Sequence, residues 1–152
     1  MFLLEELLKR IEFWRTLNEK IVFTNGCFDI LHEGHIRLFA SCQKLGERVI
    51  VGLNSDTSIK KLKGKHRPVN SQKSRAIVLA ALQYVDGVVI FKEETPKKLI
   101  HSIRPDFLVK GGDWKKTKIV GSDFVESYGG IVKTIPYLKG FSTTEIIARS
   151  KK

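Results

Sequence analysis

His32 and His35 stand three residues apart in the stretch IVFTNGCFDILHEGH, residues 21–35. On a helix that spacing puts both imidazoles on one face. Gly34 lies between them without a side chain, which leaves room for a ligand beside the backbone. The stretch begins as a short apolar run, Ile21-Val22-Phe23, passes through a glycine-containing loop and enters a helix near His32. A strand, a turn and a helix start present free backbone N–H groups to an anion. Two imidazoles and a row of donors at one place suit a phosphate in transit. Zinc is the competing chemistry, but zincins space their histidines four apart with Glu next to the first. Here the spacing is three and no further ligands are evident, so no metal site is read. No GxxxxGK[ST] is present, and no GxGxxG follows the first strand, so phosphates would be handled by other means.

The elements that must position these groups follow from hydrophobic spacing. Leu3, Leu4, Leu7, Leu8, Ile11 and Trp14 predict an amphipathic helix over residues 2–17. Strands are expected at about 21–24, 48–53, within 85–91, at 107–110 and at 131–135. The second is almost continuously apolar, as a strand buried on both faces should be. The first loop leads into a helix to about Lys44, stopped by Gly46. Asn54-Ser55-Asp56 caps a short helix that decays into a basic loop over 60–67. Further helices are expected at 72–84, capped by Asn70 or Ser71, at 96–103, with Pro96 in the first position after Thr95, and at 122–128. Ser142-Thr143-Thr144-Glu145 is a capping box opening the last helix. Strands alternating with helices predict an α/β fold: a Rossmann-like, doubly wound, parallel five-stranded sheet with helices on both faces. The loops after the first, second and fourth strands then share one rim, where such folds bind ligands.

The 152 residues read as a single domain, with the helix at 1–18 preceding a core at 20–150. A composition 42% hydrophobic and 28% charged is that of a soluble globular protein. Cys27 and Cys42 make no disulfide framework and fit reduced thiols in a cytoplasm. No uncharged apolar run approaches the roughly 20 residues of a membrane helix, and the acids in MFLLEELLKRIEFWR exclude a signal peptide. Neither a membrane nor a membrane anchor is expected. The formal net charge of +11 favours an anionic partner or, more simply, reflects a solvated Lys-rich surface. Nucleic acid is the different-class alternative. The basic residues are scattered, however, and no helix-turn-helix, RNA-binding sheet motif or zinc finger is evident.

Phe28-Asp29-x-x-His32-x-Gly34-His35 resembles the HxGH signature of the cytidylyltransferase-like nucleotidyltransferases. Gly140-Phe141-Ser142-Thr143-Thr144 resembles their second signature, a hydroxyl-rich turn opening the last helix. TNGCFDILHEGH, VGLNSD, LKGKHRPVN, VLAALQYVD, ETPKKLI, RPDFLVKGGD and GFSTTEII together resemble one subfamily over about residues 20–150, the ADP-heptose synthases or heptose-1-phosphate adenylyltransferases. In many bacteria that unit is the C-terminal half of a bifunctional protein with a sugar kinase. The resemblance implies that AMP passes from ATP to D-glycero-β-D-manno-heptose 1-phosphate, giving ADP-heptose and pyrophosphate for the lipopolysaccharide core. It further implies Mg2+ accompanying ATP and a heptose kinase on a separate chain. Members of the superfamily are commonly dimers, so a homodimer is compatible with it.

The resemblance implies catalytic roles for His32 and His35 at the phosphates, and for Lys44, which matches a family lysine reaching the substrate phosphate. Thr24, Asn25, Gly26, Cys27, Phe28 and Gly34 are expected at the triphosphate, with Asn54 and Asp56 on the neighbouring loop. Asp29 orients either a ligand or its own loop. Arg67 and Arg75 match basic family positions, with Lys61 and Lys63 adding charge to a loop read as a mobile clamp. Lys110, Gly111 and Asp113 are expected to face the nucleotide, and Ser142, Thr143 and Thr144 the outgoing pyrophosphate. Many cytidylyltransferases carry Arg-Thr-x-Gly before that last turn. Tyr137-Leu138-Lys139 stands there instead, which argues against a glycerol-phosphate cytidylyltransferase and leaves Lys139 as a substitute for the arginine.

Overall fold

The two most continuous apolar runs become neighbouring strands at the middle of the sheet, where both of their faces are covered. The computed structural model describes residues 2–136, 138 and 140–150. Lys139 and Tyr137 lie outside the described residues. In chain order the elements are α1 (Leu4–Thr16), β1 (Ile21–Gly26), α2 (Glu33–Gln43), β2 (Arg48–Asn54), α3 (Asp56–Lys63) and α4 (Gln72–Ala80). There follow β3 (Gly87–Phe91), α5 (Lys97–Ile103), β4 (Phe107–Gly111), a 3-10 turn (Lys116–Lys118), α6 (Ser122–Ser127), β5 (Ile131–Ile135) and α7 (Thr143–Ser150).

All strands are parallel, in the order β3-β2-β1-β4-β5. Phe23 of β1 lies opposite Ile50 of β2 on one side and Leu108 of β4 on the other. The chain therefore winds outward from β1 to β3, then crosses back to β4. The carboxyl ends of β1 and β4 flank the point where the winding reverses, and a parallel sheet opens a crevice there.

Alternation along the strands divides the interior into two cores. Ile21, Phe23 and Ile50 join Leu7, Ile11 and Trp14 of α1 with Leu99, Ile100 and Ile103 of α5 on one face. Val22, Val49, Val51 and Leu53 join Phe39 of α2 and Ala76 and Leu79 of α4 on the other. The amphipathic N-terminal helix thus packs on its own domain. The Arg15 guanidinium donates to the carbonyls of Ile103 and Arg104 at the end of α5, and Phe2 N–H donates to Val88 O on the edge strand β3. At the amino end of the sheet the charges are paired: Arg48 with Glu19 and Asp86, and Lys20 with Asp106.

Several boundaries differ from the sequence expectation. β1 runs on through Gly26 because its ladder with β2 continues to Leu53. Residues 60–63 are helical, so the basic loop begins only at Gly64, whose φ of 91° ends α3. The fourth helix ends at Ala80, not at 84. Leu82 and Val85 turn back three residues to the carbonyls of Leu79 and Leu82, and Asp86 then accepts Val49 N–H, leading the chain into β3. Pro96 caps α5 from outside and Lys97 is its first residue. Gly46 does not end α2 by a left-handed turn. A Cβ there would meet Lys20 O at 2.9 Å, so Gly46 lets the chain pass close to the start of β1.

Candidate active site

Three local devices build the β1–α2 corner. Phe28 adopts a φ of 42°, a left-handed turn uncommon outside glycine, and this sends its ring back under the loop. The ring packs against His35 at 5.2 Å edge to face and against Phe39 at 5.1 Å. A Cβ on Gly26 would stand 3.0 Å from that ring, so Gly26 is what admits it. Asp29 then anchors the corner. Its carboxylate accepts from Arg67 Nε at 2.9 Å, Val69 N–H at 2.8 Å and Asn70 N–H at 2.8 Å, while Asn70 Nδ2 donates to Asp29 O. Of the two roles open to Asp29, the structure assigns it to holding the loop.

His32 is the N-cap of α2 and His35 lies in its first turn. Their rings stack with centroids 3.8 Å apart and planes 22° from parallel. Gly34 faces this stack: a Cβ would stand 3.1 Å from the His32 ring and 3.7 Å from Phe141. The missing side chain at Gly34 therefore makes room for the His32 imidazole, while the Gly34 backbone lines the cleft. Both Nδ1 atoms are buried without a hydrogen-bond partner. Burial lowers the pKa of His32, and it lowers that of His35 to about 4, with the nearby charges of His32 and Lys63 adding to the effect. Both rings are therefore neutral at pH 7, each with one N–H to give.

The second hydroxyl-rich motif arrives at the same place. Ser142 Oγ accepts from Glu145 N–H, which starts α7, and Thr143 Oγ1 donates to Ile30 O at 3.5 Å, tying α7 to the β1–α2 loop. The two motifs enclose a cleft with two limbs that share His35, Leu38, Lys63, Gly111 and Thr143. The narrower limb, about 390 Å³, runs between His32, Gly34 and the turn Ser142-Thr143-Thr144, with Ile135, Pro136 and Phe141 as its apolar wall. The wider limb, about 560 Å³, is lined by Asn25, Gly26, Cys27, Phe28, Asn54, Arg67 and Lys110, and by Glu94, Trp114 and Lys118.

Two cations on this rim are left without acids. Among the described residues neither Lys63 nor Lys110 forms an ion pair. Lys110 is held below its usual pKa by burial, an effect that Lys63 adds to and Cys27 opposes. Arg67 spends Nε on Asp29, but one terminal nitrogen is buried without a partner. The carboxyl end of the sheet has its own ion pairs, Arg67 with Asp29 and Arg75 with Asp56, but keeps Lys63 and Lys110 in excess of them, which suits an anion site.

Five residues expected at the site stand off the cleft wall. Lys44 follows α2 as its C-cap. At about 1.5 Å per residue, nine residues carry it to the opposite end of the helix from His35, and it is exposed there. Arg75 is buried behind the site, donating to Cys27 O at 2.6 Å, Asn54 O and Asn70 O, and to Asp56 Oδ1 at 2.7 Å. Asp56 is thereby committed to Arg75. Asp113 is exposed beyond the rim, because Gly112 turns away to donate to Ile135 O. Thr24 is buried beneath the cleft floor with its hydroxyl unpartnered. Conversely, Lys63 is a shared cleft residue, having been expected only as loop charge. Trp114 and Lys118 carried no motif, Glu94 opened the quoted ETPKKLI stretch without being singled out, and an aromatic soon after a glycine-rich strand end was the one available sign of Trp114.

The carboxylates on the cleft wall are Asp29, already saturated by donors, Glu94 on the wider limb and Glu145 on the narrower. Among the described residues no three His, Cys, Asp or Glu converge. This donor set does not fit a metal ion held by the protein alone. Among the described residues, no helix is long and apolar enough to cross a membrane.

Comparison with known proteins agrees with this geometry. The cytidylyltransferase-like family profile matches residues 23–149. The bifunctional protein HldE of Hyphomonas neptunium is 51% identical over 97% of this chain, and that of Pectobacterium carotovorum subsp. carotovorum is 55% identical over 94%. The chain spans 30% of the length of each of these relatives. Among solved structures, a lipopolysaccharide core biosynthesis protein from Thermoplasma volcanium aligns with a TM-score of 0.64 at 28% identity, over 81% of this chain and 99% of that one. A pantoate-β-alanine ligase from Francisella tularensis shares the fold, with a TM-score of 0.58 at 18% identity over 95% of this chain and 75% of the other. With its paired motifs on one cleft and the family profile spanning both, the chain belongs to the cytidylyltransferase-like family of nucleotidyltransferases.

Proposed function

We propose that the domain transfers AMP from ATP to D-glycero-β-D-manno-heptose 1-phosphate, releasing pyrophosphate and forming ADP-heptose. The observation that carries nucleotidyl transfer is the shared cleft: a stacked, partnerless histidine pair on one wall and the hydroxyl-rich start of α7 on the other. The heptose acceptor rests on about 50% identity to HldE proteins, and the Thermoplasma volcanium lipopolysaccharide core protein supports the same pathway.

In this reading an oxygen of the acceptor phosphate attacks the α-phosphorus of ATP. A new P–O bond forms in line as the α–β bridging bond breaks, and pyrophosphate leaves with the electron pair. The nucleophile is already an anion, so no side chain has to remove a proton. That suits neutral imidazoles: His32 and His35 donate N–H groups to phosphate oxygens as charge builds. Lys63 at the junction of the limbs and Lys110 on the wider limb neutralise the two approaching polyanions. The N–H groups and hydroxyls at Ser142, Thr143 and Thr144 receive pyrophosphate. Magnesium enters as part of the Mg–ATP substrate, carried on its phosphates. A heptose kinase activity would supply the acceptor.

The test is pyrophosphate release with ATP and heptose 1-phosphate, run beside CTP with glycerol 3-phosphate. Turnover confined to the first pair is expected, and turnover confined to the second would overturn the assignment.

A further inference from the structure

The two limbs of the cleft differ in chemistry, and the difference divides the substrates. The narrower limb has the start of α7, the histidine pair and a flat apolar wall at Ile135, Pro136 and Phe141, which suits a nucleoside and its phosphates. The wider limb holds a feature the nucleotide does not account for. Trp114 lines it with 46% of its surface exposed, a large aromatic plane left in water on the wall of a cationic cleft. Lys110 Nζ lies 6.0 Å from the ring centroid, at the outer limit of a cation–π contact. Glu94 lies on the same limb, highly exposed and only loosely paired with Lys61 at 3.8 Å. Arg67 brings its partnerless buried nitrogen to that limb as well.

We propose that this limb is the acceptor subsite and that Trp114 sets its specificity for a pyranose 1-phosphate. The inference rests on the nucleotidyl-transfer reading above. A pyranose presents a face of C–H groups and an edge of hydroxyls. The face stacks on the Trp114 indole, while the hydroxyl edge donates to the Glu94 carboxylate. The 1-phosphate points inward to Arg67 and to Lys63 at the junction, where the α-phosphorus of ATP waits. An open-chain acceptor such as glycerol 3-phosphate offers the same phosphate but no ring face. Trp114 therefore discriminates ring from chain, and the lysines do not.

The test compares wild type with Trp114→Ala and Trp114→Phe by pyrophosphate release, varying ATP and the sugar 1-phosphate separately. Trp114→Ala is expected to raise the KM for the sugar 1-phosphate about tenfold and leave that for ATP within about twofold, with Trp114→Phe recovering most of the loss. A second measurement is independent of turnover. The chain has two tryptophans, Trp14 and Trp114, and in a Trp14→Phe background the emission of Trp114 should shift with sugar 1-phosphate alone and stay unchanged with glycerol 3-phosphate. A raised KM for ATP with the acceptor unaffected would assign the indole to the nucleobase and overturn the proposal, as would no change in either KM. If wild type turns over no sugar 1-phosphate, the parent reading falls, and the emission titration alone decides the subsite: a shift upholds ring binding and no shift ends it.

Discussion

His32 and His35 stack face to face, 3.8 Å between ring centroids, with neither Nδ1 bonded inside the protein. Such a pair resists double protonation, since two cations at that distance repel across a partly dry pocket. Burial above all, with the nearby His32 and Lys63 adding to it, keeps His35 neutral in the folded state, its pKa at about 4 against 6.5 for a free imidazole. Between these two values the unfolded chain binds the extra proton, so stability falls as pH drops from 6.5 towards 4. Urea unfolding of wild type and His35→Gln across that window should show a shallower pH dependence in the variant. Equal slopes would mean the pair contributes nothing to acid sensitivity.

Catalysis should depend on the same rings. Removing a preorganised donor aimed at developing phosphate charge costs about 100-fold in kcat, and His35→Ala is expected to lose at least that while still binding ATP. Gly34→Ala should lower kcat too, because the added Cβ would stand 3.1 Å from the His32 ring and push it aside by a few tenths of an ångström. Wild-type turnover in His35→Ala would refute the role given to this face of α2.

The lysines separate by position. Lys63→Ala, at the junction of the two limbs, should raise KM for both substrates. Lys44→Ala, at the far end of α2, should leave both constants within about twofold, as for a solvated surface charge. Steady-state kinetics on the two variants would reverse this assignment if Lys44→Ala were the defective one.

Arg75 predicts a stability effect instead of a kinetic one. Its guanidinium holds three carbonyls and Asp56 from a fully buried position. Truncating one partner of such a buried network costs about 3 kcal/mol, so Arg75→Ala should unfold at markedly lower urea. An unchanged midpoint with a raised KM for ATP would return Arg75 to the ligand.

The parallel sheet and the rim that carries the site were legible because β-strand residues here are apolar on both faces and the motifs fall at strand ends. Motif residues tell which loops meet, but not which side chains in them face inward. Asp29, Asp56 and Arg75 look like ligand groups in sequence, yet each is consumed by a bond to a residue 19 or more positions away. Lys44 failed for a simpler reason: a helix nine residues on has climbed the height of the sheet. Trp114 went unread because nothing local distinguishes an aromatic that lines a cleft from one that merely covers a surface. The helix expected to reach residue 84 broke early at a tertiary demand, the bond from Val49 to Asp86, which no local propensity encodes.

The bond from Thr143 to Ile30 joins two segments translated 113 residues apart. During synthesis from the amino end, the histidine corner is complete long before its counterpart emerges from the ribosome. Until the final helix docks, half of the pyrophosphate grip is missing, so ATP cannot act as a folding ligand for the nascent domain. Its stabilising pull, which scales with occupancy of the native state, begins only once α7 has docked.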